Sequence, residues 1–373
     1  MSALFVISAL MASALAAPGA CPAQNGATGG SPALPAKATA EAVTLPPNTF
    51  GPMIEAAAVN SKGDVFAGNF TGDKKITDFT YAIAFKADSK DSAAFVADAK
   101  NNPVFKALQS DGLEKAPLIN GARFVRGDKL LIADSTNHRV ISVKAVNAGT
   151  QATEASVVCA DQKMLSPNDI AISTLRDTLI YLSGQNFTED TVAGKSGDLW
   201  TCDGGGATQF SPEILAAADI HRTNGIETSP DGTTLYLSAA ANKGGAVVSN
   251  KIFKFALNKD TGAINQEAPK LFFDFADPEE AKVDIDGMRT DIDGNLWVTR
   301  NGAGKAVLFD KDGKLLQTVV MPGMGGPSNL ELGGPEGKDL IAVGKCKDDE
   351  KSGCIARFKT QRAGKAFNSL QQV

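Results

Sequence analysis

The chain has 373 residues, with 37 basic and 42 acidic side chains giving a net charge of −5, 43% hydrophobic residues and 37 glycines. This is a folded composition without a basic block, which excludes a disordered chain and removes the electrostatic footprint of a nucleic-acid binder. Its two histidines, His138 and His221, are far apart, and neither H-E-x-x-H nor G-x-S-x-G occurs, which argues against a His-rich zinc site or a Ser-His triad.

The N-terminus reads as a targeting segment. Leu4 to Leu15 is apolar but too short to span a bilayer, and Ala14-Leu15-Ala16 suits signal peptidase. Residues 1–16 are therefore expected to be a signal peptide and the protein secreted, with no later membrane span. Residues 17–46, rich in Ala, Pro, Gly and Thr, read as a flexible leader, and residues 362–373 as a tail.

Between them, over residues 47–361, short β-branched and aromatic runs alternate with Gly, Asp and Asn turns. A short helix is expected around Ser92 to Ala107. A turn-then-strand signal recurs at Gly63-Asp64-Val65-Phe66, Gly127-Asp128-Lys129-Leu130, Asp177-Thr178-Leu179-Ile180, Asp231-Gly232-Thr233-Thr234-Leu235, Gly294-Asn295-Leu296-Trp297 and Gly337-Lys338-Asp339-Leu340. A spacing of about 55 residues matches a four-stranded propeller blade plus loops, so an all-β, six-bladed β-propeller is expected.

Five cysteines suit an oxidising compartment. Cys346 and Cys354 flank a short charged turn, Cys159 and Cys202 border strand-like runs, and Cys21 is left over; connectivity is not fixed by spacing. Asn69-Phe70-Thr71 and Asn186-Phe187-Thr188 are acceptor tripeptides for N-glycans. Trp200 and Trp297 read as core, Asp291 and Asp293 as turn residues, and His138 and His221 as structural.

Counting back about 10 residues from each strand signal lands on Glu55, Asn120, Asn168, Asn224, Asp286 and Asn329. In a propeller, equivalent positions on the innermost strands converge on one axis. Asn-Gly and Asp-Gly are also ordinary turn dipeptides. Glu55, followed by Ala56-Ala57-Ala58, is no turn residue, and converging buried carboxylates are costly without a cation. Such an oxygen set suits Ca²⁺, with Mg²⁺, Mn²⁺ and Zn²⁺ as alternatives.

Four stretches carry a family resemblance, the first three being Glu55 to Phe66, Ser166-Pro167-Asn168-Asp169-Ile170, and Thr223-Asn224-Gly225-Ile226 running on to Tyr236. Asp286-Gly287-Met288-Arg289-Thr290-Asp291-Ile292-Asp293-Gly294-Asn295-Leu296-Trp297 is the strongest. Over about residues 50–360 the chain resembles the SMP-30/gluconolactonase/luciferin-regenerating-enzyme-like superfamily. The resemblance implies a divalent metal held by Glu55, Asn224 and Asp286, with Asn168 contacting substrate, and hydrolysis of lactones, esters or phosphotriesters. The family's Gly-Pro after the metal-binding Glu is Ala56-Ala57 here, and the Arg of sugar-lactone members is Ser166. Leu130 to Val140 looks like an NHL repeat, which suits a binding scaffold.

A metal-dependent hydrolase of a small-molecule lactone or ester is thus the expected function. Asp286 would act on the attacking water, and Asn168 and Asn120 would donate to substrate oxygens. The alternatives are a non-catalytic secreted propeller with a structural cation and, behind it, a strictosidine-synthase-like relative.

Overall fold

The computed structural model describes residues 33–44, 50–70, 118–127, 129–144, 154–349 and 351–372, together with the strands at 80–85 and 97–98. The expected signal peptide, Cys21 and most of the leader lie outside the described residues. The compact unit Pro35–Val373 carries all the strands.

The protein is an all-β propeller with few helices. The described residues form six sheets, each built on an up-and-down meander of antiparallel neighbours. The first holds β3 (Ile54–Val59), β4 (Val65–Asn69), β5 (Thr80–Phe85) and β6 (Ala97–Asp98). The second holds β7 (Ile119–Val125), β8 (Lys129–Asp134), β9 (Arg139–Lys144) and β10 (Glu154–Ala160), and the third β11 (Pro167–Ile172), β12 (Ile180–Gln185), β13 (Gly197–Asp203) and β14 (Gly206–Gln209). The fourth consists of β15 (Arg222–Thr228), β16 (Thr234–Lys243), β17 (Ala246–Ala256) and β18 (Lys270–Asp274). The fifth contains β19 (Asp284–Thr290), β20 (Leu296–Asn301), β21 (Lys305–Phe309) and β22 (Leu315–Val320), and the sixth β23 (Met324–Gly333), β24 (Asp339–Cys346) and β25 (Gly353–Lys359).

The first strand of each sheet touches that of the next, from β3 through β7, β11, β15 and β19 to β23, and β23 returns to β3. These inner strands are almost wholly buried, β7 and β15 at every residue, whereas outer β10 is largely exposed. The core therefore lies between neighbouring sheets. Phe66 of the first meets Phe124 of the second edge-on at 5.0 Å, and Trp200 and Trp297 are buried as expected.

The recurring turn signal has a local cause. Asn60 Oδ1 accepts from the amides of Lys62 and Asp64 at 3.0 and 2.9 Å, and Asp291 Oδ1 from those of Asp293 and Asn295 at 3.0 and 2.9 Å. Gly63 and Gly294 both have φ of 86°, a conformation that glycine adopts without a Cβ penalty. One side chain thereby folds the hairpin that joins each of these inner strands to its neighbour.

Three expectations need correction. Residues 37–43, read as leader, form β1 (Lys37–Thr39), parallel to β22, and β2 (Glu41–Val43), antiparallel to β25. These are edge strands of three residues each, too short to show the apolar alternation that marks a strand in sequence. The tail carries a helix, Lys365–Gln371, anchored by Phe367. Within the expected helix at Ser92–Ala107, Ala97–Asp98 is strand, and its other residues lie outside the described ones.

Two disulfides follow the expected pairs. Cys159–Cys202 ties β10 of the second sheet to β13 of the third, and Cys346–Cys354 closes the β24–β25 hairpin. Replacing Cys159 and Cys202 together by Ser should remove about 2–4 kcal/mol. Urea unfolding would read this as a lower midpoint; an unchanged midpoint would mean that inter-sheet packing alone holds these blades together.

Candidate metal centre

Every innermost strand is irregular at or next to the predicted ring position, and β23 is irregular a second time between Met324 and Gly326. Between Ile119 and Ala122, the pair Asn120-Gly121 faces a single partner residue; Asn168-Asp169, Asn224-Gly225 and Asp286-Gly287 do the same in β11, β15 and β19. In β3 the unpaired residue is Glu55, and in β23 it is Ser328. A bulge re-aims a side chain while the strand continues. The Asn-Gly and Asp-Gly dipeptides are thus bulges and not turns. Hydroxyls hold the kinks: Ser183 Oγ, opposite the β11 bulge, accepts from Asp169 N at 3.1 Å and donates to Asn224 O of the next sheet at 2.5 Å, and Thr299 Oγ1, opposite the β19 bulge, donates to Gly287 O at 3.1 Å.

The register corrects one member of the ring. Asn329 is equivalent to Asp169, and Ser328 occupies the position of Asn168. Asn329 Oδ1 accepts from Leu330 N at 3.0 Å, as Asp169 Oδ1 does from Ile170 N at 2.9 Å. Counting along the chain missed this because Leu340, the first apolar residue of its strand signal, is the register equivalent of Ile180 and not of Leu179.

Glycine follows Asn224 and Asp286 for a steric reason. A Cβ on Gly225 would stand 2.1 Å from Asp286 O, and one on Gly287 2.1 Å from Asn329 Oδ1. Neighbouring inner strands approach that closely at the ring.

Glu55 and Asp286 are partly exposed, whereas Asn120, Asn168 and Asn224 are buried. Asp286 Oδ2 accepts from Asn301 Nδ2 at 2.8 Å. Burial pushes the Asp286 acid up to about 7; the Asn301 hydrogen bond and Arg222 oppose the rise, and the charges of Asp284 and Asp169 add to it. Burial likewise raises Glu55 well above the ordinary range, with Asp286 and Asp169 adding repulsion. Asn224 Oδ1 is buried without a hydrogen-bond partner. Repelling carboxylates beside an orphaned amide oxygen form a hard-oxygen donor set. Among the described residues no three His, Cys, Asp or Glu side chains gather as a metal group, so amide oxygens must complete any such site.

One layer of charges escaped the sequence reading. Three residues beyond the ring lie Arg123, Glu227, Arg289 and Glu331, all buried. Arg123 Nη1 is 3.2 Å from Asp169 Oδ1; Arg289 lies 3.4 Å from Asp169 Oδ2 and 3.0 Å from Glu331 Oε2. The repeated three-residue offset was visible in sequence, but the pairing was not. Upstream, Arg222 bonds Asp284 at 2.5 Å and Gln185 at 2.9 Å.

The remaining candidates are structural. His221 bonds Thr191 and Asp219, each at 3.0 Å, and His138 Nδ1 lies 2.5 Å from Met164 O. In the NHL-like stretch, Asp134 Oδ2 accepts from Asn137 at 2.8 Å and Arg139 at 2.7 Å, which braces the β8–β9 hairpin.

Two outcomes follow from this geometry. Gly225→Ala forces a methyl into the Asp286 carbonyl, and should cost about 1–3 kcal/mol in urea unfolding, the usual range for overpacking. The second concerns pH. Because burial favours the protonated acid, the folded state binds more protons than the unfolded chain between the ordinary carboxylate range and about pH 7. Metal-free protein should therefore lose stability as pH rises through that window. Thermal scans in EDTA check this, and Asp286→Asn should flatten the fall.

Among solved structures the chain is similar to a calcium-binding protein, regucalcin, from Agrobacterium tumefaciens, with a TM-score of 0.62 and 17% identity over 89% of this chain and 97% of that one. A luciferin-regenerating enzyme matches at TM-score 0.60 and 13% identity, over 84% of this chain and 93% of that one. A gluconolactonase from Xanthomonas campestris matches at 0.55 and 19%, over 88% and 98%. At these identities the likeness establishes the fold. No curated protein sequence matches the chain. The family model described as SMP-30/Gluconolactonase/LRE-like region matches residues 87–343, and the chain belongs to that family.

Proposed function

We infer that the protein is a secreted, metal-dependent hydrolase of lactones or related esters, with each of its six sheets serving as one blade around the site. The carrying observation is the pair of repelling carboxylates, Glu55 and Asp286, beside the unpartnered Asn224 Oδ1. Glu55, Asn224 and Asp286 fit a divalent cation, and their hard oxygens favour Ca²⁺ over Mg²⁺, Mn²⁺ or Zn²⁺. Bound there, such an ion polarises a carbonyl and lowers the pKa of a water. The calcium-binding regucalcin of the same fold supports the choice of ion.

The chain's own residues divide the remaining work. Asp286, held through Oδ2 by Asn301, takes a proton from the attacking water as its oxygen bonds to the acyl carbon. The acyl C–O bond then breaks, and the departing alcohol oxygen is protonated. Asn168 and Asn120 donate to the carbonyl oxygen as charge develops on it. No Ser or Cys nucleophile is required. Two disulfides suit the oxidising compartment that the N-terminal apolar segment implies. Asn186 is exposed, whereas Asn69 Oδ1 accepts from Gly51 N at 3.1 Å, so Asn186 is the better glycan acceptor.

Proton release from aliphatic, aromatic and sugar lactones, with Ca²⁺ and again in EDTA, tests this reading. Acid release should depend on the metal and fall at least about 100-fold in Asp286→Asn, the usual worth of a positioned base. Unchanged turnover in that variant would sink the assignment. Tight Ca²⁺ binding with no release from any lactone would make the protein a binding propeller.

A further inference from the structure

Below the ring lies a cluster of six buried charges, three of each sign: Arg123, Arg289 and Lys365 against Asp169, Glu227 and Glu331. Each side chain is less than a tenth exposed. Five come from inner strands. The sixth comes from the far end of the chain: Lys365 opens the C-terminal helix, and its Nζ donates to Glu227 Oε1, Thr228 Oγ1 and, at 3.0 Å, Thr228 O.

The helix is seated on the hairpins beneath the ring. Gly364 N donates to Gly337 O at 2.9 Å, Ile292 N to Ala363 O at 3.0 Å, and Gln371 Nε2 to Ser61 O at 2.9 Å. It therefore bonds the turns of the fifth, sixth and first sheets, while Lys365 reaches the end of β15 in the fourth.

We propose that Lys365 is a positioning residue for the cation site, acting through Glu227, Arg123 and Asp169 so that both arginines stay engaged below the ring. The proposal rests on the reading of Glu55, Asn224 and Asp286 as cation ligands. Arg123 and Arg289 stand three residues beyond Asn120 and Asp286 on the same strands. Arg222 already faces Asp286; left without their acidic partners, Arg123 and Arg289 would add two more cations able to neutralise Glu55 and Asp286 in place of a metal. Asp169 prevents this by holding one arginine on each oxygen, at 3.2 and 3.4 Å. It also shares its bulge with Asn168, so its two ion pairs fix the backbone that carries that amide.

Lys365 keeps the arrangement balanced by satisfying Glu227. Arg123 Nη2 already lies 3.9 Å from Glu227 Oε2 and has no hydrogen-bond partner. Without Lys365, Glu227 is a buried anion whose nearest cation is Arg123, and moving the guanidinium onto it frees Asp169 Oδ1. A buried charge stripped of its partner reorganises its surroundings.

Calorimetric titration of Ca²⁺ into metal-free full-length protein, its Lys365→Met variant and the Lys365→Met/Glu227→Gln double variant tests the idea, with a thermal scan of each. Lys365→Met should weaken Ca²⁺ binding about tenfold, as loss of a supporting partner behind a metal ligand does. The double variant removes both charges and should return the affinity to within about twofold of wild type. Lys365→Met with a lower melting temperature but wild-type Ca²⁺ affinity overturns the proposal, as does a folded double variant that binds weakly. If Lys365→Met fails to fold, the double variant alone decides by the same criterion. Wild-type protein that binds no Ca²⁺ overturns the cation reading beneath it, and the proposal with it.

Discussion

Two partly exposed acids at the ring of bulges, Glu55 and Asp286, both held towards the protonated form, are the constraint around which this molecule is arranged. Burial drives both acids towards the protonated form; the charge of Asp286 adds to it at Glu55, and those of Asp284 and Asp169 add to it at Asp286. A fold tolerates such a pair only where a compensating charge is available. The arginines that could supply it are held one layer down, tied to Asp169 and Glu331. The bulges make the separation of layers work. An extra residue in each inner strand turns the ring side chains one way and lets the strand resume, so that the charges three residues on form a tier of their own.

The close approach of the inner strands follows from the same geometry. Gly225 and Gly287 leave their neighbours' backbone and Asn329 room that no Cβ would permit. The Asn-Gly and Asp-Gly dipeptides that resemble turn signals in sequence therefore have two duties: the first residue faces the axis, and the glycine admits the adjacent strand. Oxygen-rich side chains are brought together by packing of backbone against backbone, which is stiffer than placing them on loops.

Much of this was legible in the residues because its causes are local. Asn60 and Asp291 fold their hairpins through their own side-chain oxygens, so the repeat appears as a turn-then-strand signal. The cysteine pairs and the family followed from spacing and motif. Asn329 was placed one position out because the count starts at the first apolar residue of each strand signal, and Leu340 corresponds to Ile180 where the other count starts at Leu179. β1 and β2 were read as leader because strands of three residues are too short to carry a periodicity. Lys365 went unnoticed because Glu227, the side chain that explains its burial, lies 138 residues away. Local chemistry is readable in a sequence; a partner brought in by closure of the ring is not.

That closure has a consequence for how the chain matures. β2 is made near the start of synthesis, yet its hydrogen-bonding partner β25 is made near the end, and Glu41 pairs with Arg357. No partial chain emerging from the ribosome can complete the sixth sheet, so the earlier sheets must wait with one side of the ring open. Contacts so distant in sequence make folding slow and leave apolar sheet faces exposed meanwhile. Closure of the ring is therefore the last step of assembly, whichever sheet folds first.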